Sequence, residues 1–123
     1  MIEDLFRETM DRVGLDSAFV EYRALREQFY GGFVYDFRPG PLTGVAEDLA
    51  GQERFAEAIR VAEFALEFDP EFYSIHFTLG SIQERAGNRA EALKSMERAL
   101  ELSPPRFRGF LERQVTRLRA SSQ

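Results

Sequence analysis

The chain has 123 residues, a net charge of −5, one histidine and no cysteine. That length suffices for one domain with its own core, and the missing thiols exclude disulfides, thiolate nucleophiles and cysteine metal sites. A lone imidazole disfavours histidine-built metal centres, and the negative balance argues against general nucleic-acid affinity, which rests on phosphate neutralisation by cations.

Met1-Ile2-Glu3-Asp4 is acidic where a secretory signal would be basic. No window approaches the ~18 uncharged residues of a membrane span. The chain as given is therefore expected to be soluble and cytoplasmic, with no membrane partner. Charge is unevenly spread: residues 44–72 hold eight acids against Arg54 and Arg60, whereas residues 103–123 hold five arginines against Glu112. Two solvated helix faces account for this, and the same asymmetry can orient one molecule against another.

The first element is a helix with Ile2, Leu5, Phe6, Met10 and Val13 on one stripe, ended by Gly14. Asp16 or Ser17 is expected to cap a second helix, with Ala18, Tyr22, Leu25 and Phe29 on its inner face. Next comes an aromatic segment between Gly31-Gly32 and Pro39-Gly40-Pro41. Phe29, Tyr30, Phe33, Tyr35 and Phe37 crowd it, and five such rings are not expected to sit in water. The favoured reading is that the segment folds back over its own array; the alternative is a docking patch for a partner or a neighbouring domain.

Helices are expected at about 41–50, 54–68, 71–86 and 89–102. Leu79-Gly80, Gly87, Glu91-Ala92-Leu93, Met96, Ala99-Leu100 and Pro104 mark the last two. Subtracting 34 returns the pattern: Ala46 answers Gly80, Ala58 answers Ala92, Ala65 answers Ala99, and Pro70 answers Pro104. Small residues suit places where helices approach closely, and the prolines stop the second helix of each pair. Gly87 is a C-terminal stop and Asn88 an N-cap.

This pattern resembles the tetratricopeptide repeat, in two in-phase copies at about 39–72 and 73–106. The chain departs from it where tryptophan is preferred (Leu42, His76) and where tyrosine is preferred (Leu49, Gln83). The resemblance implies an all-α right-handed superhelix of antiparallel helix pairs. It is flanked by an N-terminal hairpin with the aromatic segment (1–38) and a capping helix (107–123). About three units are needed for a stable array, so the flanks should contribute. Pro105 opens the cap, with Phe107, Phe110, Leu111, Gln114, Val115 and Leu118 inward and five arginines outward. Upstream, Ala24, Leu25 and Gly31 answer Ala58, Ile59 and Ala65. The hairpin is thus either a degenerate first repeat or an unrelated pair packed on the open end.

Members of that family bind extended peptides on a concave face lined by each pair's first helix. The resemblance then makes Thr43, Glu47, Ser74, Phe77, Ser81 and Glu84 the candidate peptide-binding residues. The carboxylate clamp of some members would fall on Thr43, Gly44, Glu47, Ser74 and Thr78, none of them basic, so chaperone-tail binding is disfavoured. An acidic groove around Glu47 and Glu84 would rather meet a neutral or basic segment.

Nothing assembles catalysis. His76 is read as packing, Glu47-Asp48, Glu67 with Asp69, and Glu97 with Glu101 as solvated charges, and Gly31-Gly32 precedes no lysine of a phosphate loop. No catalytic residue, metal or cofactor is expected. The function expected is a non-catalytic protein-interaction or scaffold module. The alternatives are a homodimerisation module using the aromatic segment and an accessory domain of a larger enzyme. For the latter, the run from Glu21 to Phe37 followed by paired repeats looks similar to tails of some bacterial serine hydrolases.

Overall fold

The computed structural model describes residues 2–29 and 39–121. Among them the chain is all-α, in seven helices: α1 Ile2–Val13, α2 Leu15–Phe29, α3 Pro39–Gly51, α4 Phe55–Phe68, α5 Tyr73–Arg85, α6 Arg89–Leu102 and α7 Pro105–Ser121. Successive helices pair as α1 with α2, α3 with α4, and α5 with α6, and α7 lies on the last pair. Both ends of α3 recur 34 residues later as the ends of α5, and both ends of α4 recur as those of α6. The period read in the sequence is therefore the period of the backbone.

Its cause is visible where the helices touch. Ala46, Ala58, Ala62, Ala65, Ala92 and Ala99 are all buried, and Gly80 is buried with them. A Cβ added at Gly80 would lie 3.2 Å from the Met96 side chain and 3.3 Å from the Ala92 carbonyl oxygen. The α5–α6 approach thus leaves no room for a longer side chain at that point. Around it pack Leu42, Leu49, Val61, Ile75 and Ile82 in one core, and Ala92, Met96, Ala99, Leu111, Val115 and Leu118 in a second.

The turns inside the two pairs are copies as well. After α5 the Gly87 N–H donates to the Glu84 carbonyl and the Asn88 N–H to the Gln83 carbonyl, with Gly87 at φ 89°. This pair of hydrogen bonds closes the helix through a residue in the left-handed conformation, which glycine adopts without strain. After α3 the Glu53 N–H donates to Ala50 and the Arg54 N–H to Leu49 in the same pattern, but Glu53 stands at φ 62°. Its Cβ costs about 1 kcal/mol in that region. Asn88 does occupy the N-cap position of α6, yet its side chain makes no capping hydrogen bond.

The two departures from the repeat pattern have structural partners. His76 Nε2 lies 2.8 Å from the Pro70 carbonyl oxygen, so the ring donates there and ties α5 to the turn before it. Gln83 is buried and accepts a 2.6 Å hydrogen bond from Ser95 Oγ. In the first pair the same two positions are Leu49 and Val61, both buried. An apolar contact in one repeat is replaced by a satisfied polar contact in the next.

The N-terminal hairpin joins by different means. Phe6, Phe19, Tyr22, Phe64 and Phe68 form one aromatic cluster across α1, α2 and α4, with Phe19 and Phe64 stacked at 4.2 Å. Arg23 sits over Phe64 and donates to both Glu67 carboxylate oxygens, Arg60 pairs with Asp16, and Arg7 meets Asp48 at 2.6 Å. The ion pairs from α2 to α4 link residues 44 apart. Ala24 is exposed where the degenerate-repeat alignment sets it against buried Ala58, so the hairpin does not follow the repeat register.

Local details of that hairpin also differ from expectation. Helix α2 begins at Leu15, ahead of the expected caps Asp16 and Ser17. Gly14 serves both ends, donating to Met10 and accepting from Ala18. Val13 is exposed; Thr9 takes an inner position and donates to Glu21 across the pair. Leu15 and Phe19 are buried although the expected α2 stripe omitted both.

Two outcomes follow from the paired turns and the polar pair. Glu53→Gly should raise stability by up to about 1 kcal/mol, the greater flexibility of the unfolded chain offsetting part of the gain. A urea midpoint at or below that of the parent would contradict the strain at Glu53. Ser95→Ala should cost about 1–3 kcal/mol by leaving the Gln83 amide buried and unmatched. The Gln83→Leu/Ser95→Val double variant, which copies the first repeat, should recover most of that loss in the same titration.

Candidate peptide-binding cleft

Helices α5 and α7 converge on one face of the second pair, in contacts that repeat the array's step. Tyr73 of α5 meets Phe107 of α7 at 5.5 Å between ring centroids, and Phe77 meets Phe110 at 5.6 Å. Farther along, the Arg117 guanidinium is held by Glu84, with Nη2 2.9 Å from Oε1, and also donates to Gln114. These contacts join residues 33 or 34 apart, so α7 stands beside α5 as the first helix of another repeat would.

Between the aromatic contacts a cleft of about 520 Å³ opens, lined by Tyr73, Ser74, Phe77, Phe107, Phe110 and Leu111. Its walls are almost wholly apolar; the Ser74 hydroxyl and Tyr73 phenol are the only side-chain polar groups on them. Phe107 is 36% exposed and Phe110 41% exposed. The expected inward stripe of α7 is therefore narrower than its sequence pattern. Leu111, Val115 and Leu118 are buried against the second core, while Phe107 and Phe110 stand at the cleft, and Gln114 is half-buried.

Of the six residues expected to bind peptide, the structure brings Ser74 and Phe77 into this cleft. Ser81 is half-buried farther along α5, and Glu84 is half-buried and engaged by Arg117. Thr43 and Glu47 lie on α3, outside the cleft lining, with Glu47 exposed. Glu84 is not a free carboxylate for the acidic groove expected around Glu47 and Glu84, because Arg117 pairs with it; the same hydrogen bond holds the Glu84 carboxyl below its ordinary pKa. Sequence reasoning missed Tyr73, Phe107, Phe110 and Leu111 as cleft residues. The available signal was that Tyr73 and Phe107 stand one repeat apart at the starts of adjacent helices.

The aromatic patch expected at Tyr30, Phe33, Tyr35 and Phe37 lies outside the described residues, as does the side chain of Phe29 at the end of α2. No group of His, Asp and Glu among the described residues could hold a metal ion. No helix among them is long and apolar enough to cross a membrane. His76 is half-buried and hydrogen-bonded to the backbone of Pro70, at the edge of the turn.

The low Glu84 pKa has a consequence for acid stability. A carboxyl whose folded-state pKa is depressed stabilises the fold above its unfolded value and loses that contribution as pH falls through the folded one. Between those values the unfolded chain binds more protons, so stability rises with pH. Glu84→Gln should therefore flatten the fall in thermal midpoint below pH 4.5, the ordinary value of this carboxyl. Parallel pH profiles for parent and variant would show that the Arg117 latch contributes nothing.

Residues 73–106, spanning α5, α6 and the first residues of α7, match the family model for the tetratricopeptide repeat. That match and the seven helices packing in adjacent pairs fit a tetratricopeptide-type repeat protein. A comparison with curated proteins finds no significant match to the chain.

Proposed function

We propose that this chain is a non-catalytic protein-interaction module, which seats a short segment of a partner protein in the cleft between α5 and α7. Repeats of this family are generally protein–protein interaction modules. The observation that carries the reading is the concentration of Tyr73, Phe77, Phe107 and Phe110 around an open, almost entirely apolar volume. Aromatic rings left at a cleft after the core is closed offer large contact area at low entropic cost, and anchors of that kind dominate binding energies. Ser74 adds one directional group, sufficient to orient a backbone or a side chain without specifying charge.

Thr43 and Glu47 then belong to an outer approach along α3, and Ser74 and Phe77 to the anchoring site.

Peptides selected from a random display library on the parent protein supply the probe. Phe110→Ser should weaken their binding at least about tenfold, the effect of losing one anchor contact. Phe110 stands at the cleft outside the buried core, so the variant should stay folded, with the parent's helical circular dichroism and only a modest loss in thermal midpoint. Undiminished binding to Phe110→Ser by every selected peptide would refute the cleft as the binding site.

A further inference from the structure

We infer that the partner segment is acidic: a large apolar side chain enters the α5–α7 cleft while carboxylates on either side of it meet Arg106 and Arg113. This deepens the peptide-binding reading above and rests on it. Arg106, Phe110, Arg113 and Arg117 follow one another at intervals of four, three and four, so they share one edge of α7. That edge faces α5, because Phe110 touches Phe77 and Arg117 is bound by Glu84.

The arginines of α7 do not have the same partners. Arg117 and Arg119 are consumed by Glu84 and Glu97. Arg106 and Arg113 are exposed and have no carboxylate partner among the described residues. The Arg106 guanidinium lies 5.0 Å from the centroid of Phe107, a ring of the cleft wall, so one cation is placed at the mouth. Glu112, the acid of α7, lines a second hollow together with Gly109, Arg113, Thr116 and Arg117, so it accompanies Arg113 rather than Arg106. An apolar site with Arg106 over a ring of its wall and Arg113 one helical turn beyond Phe110 favours an apolar anchor between carboxylates, and it disfavours a basic segment.

An anionic membrane would also attract these arginines. The geometry favours a peptide, since the apolar side chains of α7 line a cleft against α5 or turn into the core and do not form one continuous outer face along the helix.

The test pans a random dodecapeptide library on the full chain, with counter-selection on Phe110→Ser. Clones that depend on the cleft should share a bulky apolar residue flanked by Asp or Glu. Synthetic copies should lose about tenfold or more in affinity on Arg106→Gln/Arg113→Gln, recover in part on Arg106→Lys/Arg113→Lys, and bind more weakly as salt is raised. Both arginines are exposed, so the variants should keep the parent's helical circular dichroism. Cleft-dependent clones that are basic or uncharged would overturn the acidic partner and leave the cleft standing. Acidic clones indifferent to both glutamine substitutions would overturn the role of the two arginines. Absence of any cleft-dependent clone would overturn cleft and partner together. Co-sedimentation with phosphatidylserine vesicles, lost in the glutamine variant, in the absence of such clones would assign the arginines to lipid instead.

Discussion

The close approach of α5 to α6 at Gly80 governs the rest of the molecule. With 3.2 Å between a hypothetical Cβ and Met96, the two helices pack at a separation that only a small side chain permits. Alanine at position 46 serves the first pair in the same way. Once each pair is this tight, the alanines of α4 and α6 present flat surfaces to the next helix, and stacking in a fixed step follows. The 34-residue recurrence of all four helix ends is the backbone's record of that packing.

At its two ends the array is closed by opposite means. Upstream, large rings fill the space between α2 and α4, with arginines lying on them and pairing to carboxylates of the facing helix. Exposed ion pairs of this sort contribute little alone, so the rings carry that interface and the charges align it. Downstream, α7 buries three aliphatic residues and fixes its far end through Arg117 and Arg119. It leaves two rings uncovered, and the cleft is the result.

What the sequence makes legible follows from how local its causes are. Small residues, prolines and a left-handed glycine act where they stand, so the helix boundaries of the two repeats and the buried alanines were readable. Two in-phase copies reinforced each other. The hairpin was harder, because the buried side of α2 is set by Phe64 and Phe68 of a distant helix, and Leu15 and Phe19 turn toward them. The cleft was legible only in part. Ser74 and Phe77 belong to the repeat pattern, but the exposure of Phe107 and Phe110 depends on the rotation of α7 against α6, which aromatic periodicity does not report. The partner of Glu84 was equally invisible, since a carboxylate on a helix looks the same whether solvated or latched by an arginine 33 residues away.

One helix belongs to both cores. Ile75, Leu79 and Ile82 of α5 pack into the first, and Tyr73 and Phe77 pack against the second. Helix α5 is thus a strut shared by two cores. Opening of the downstream unit need not melt the upstream one, as in proteins whose hydrogen exchange proceeds by sub-global steps. Every such opening separates Phe77 from Phe110. A segment seated between those rings, as proposed, would bind only the closed form, so occupancy and local folding would be thermodynamically linked and the ligand would act as a clasp on that half.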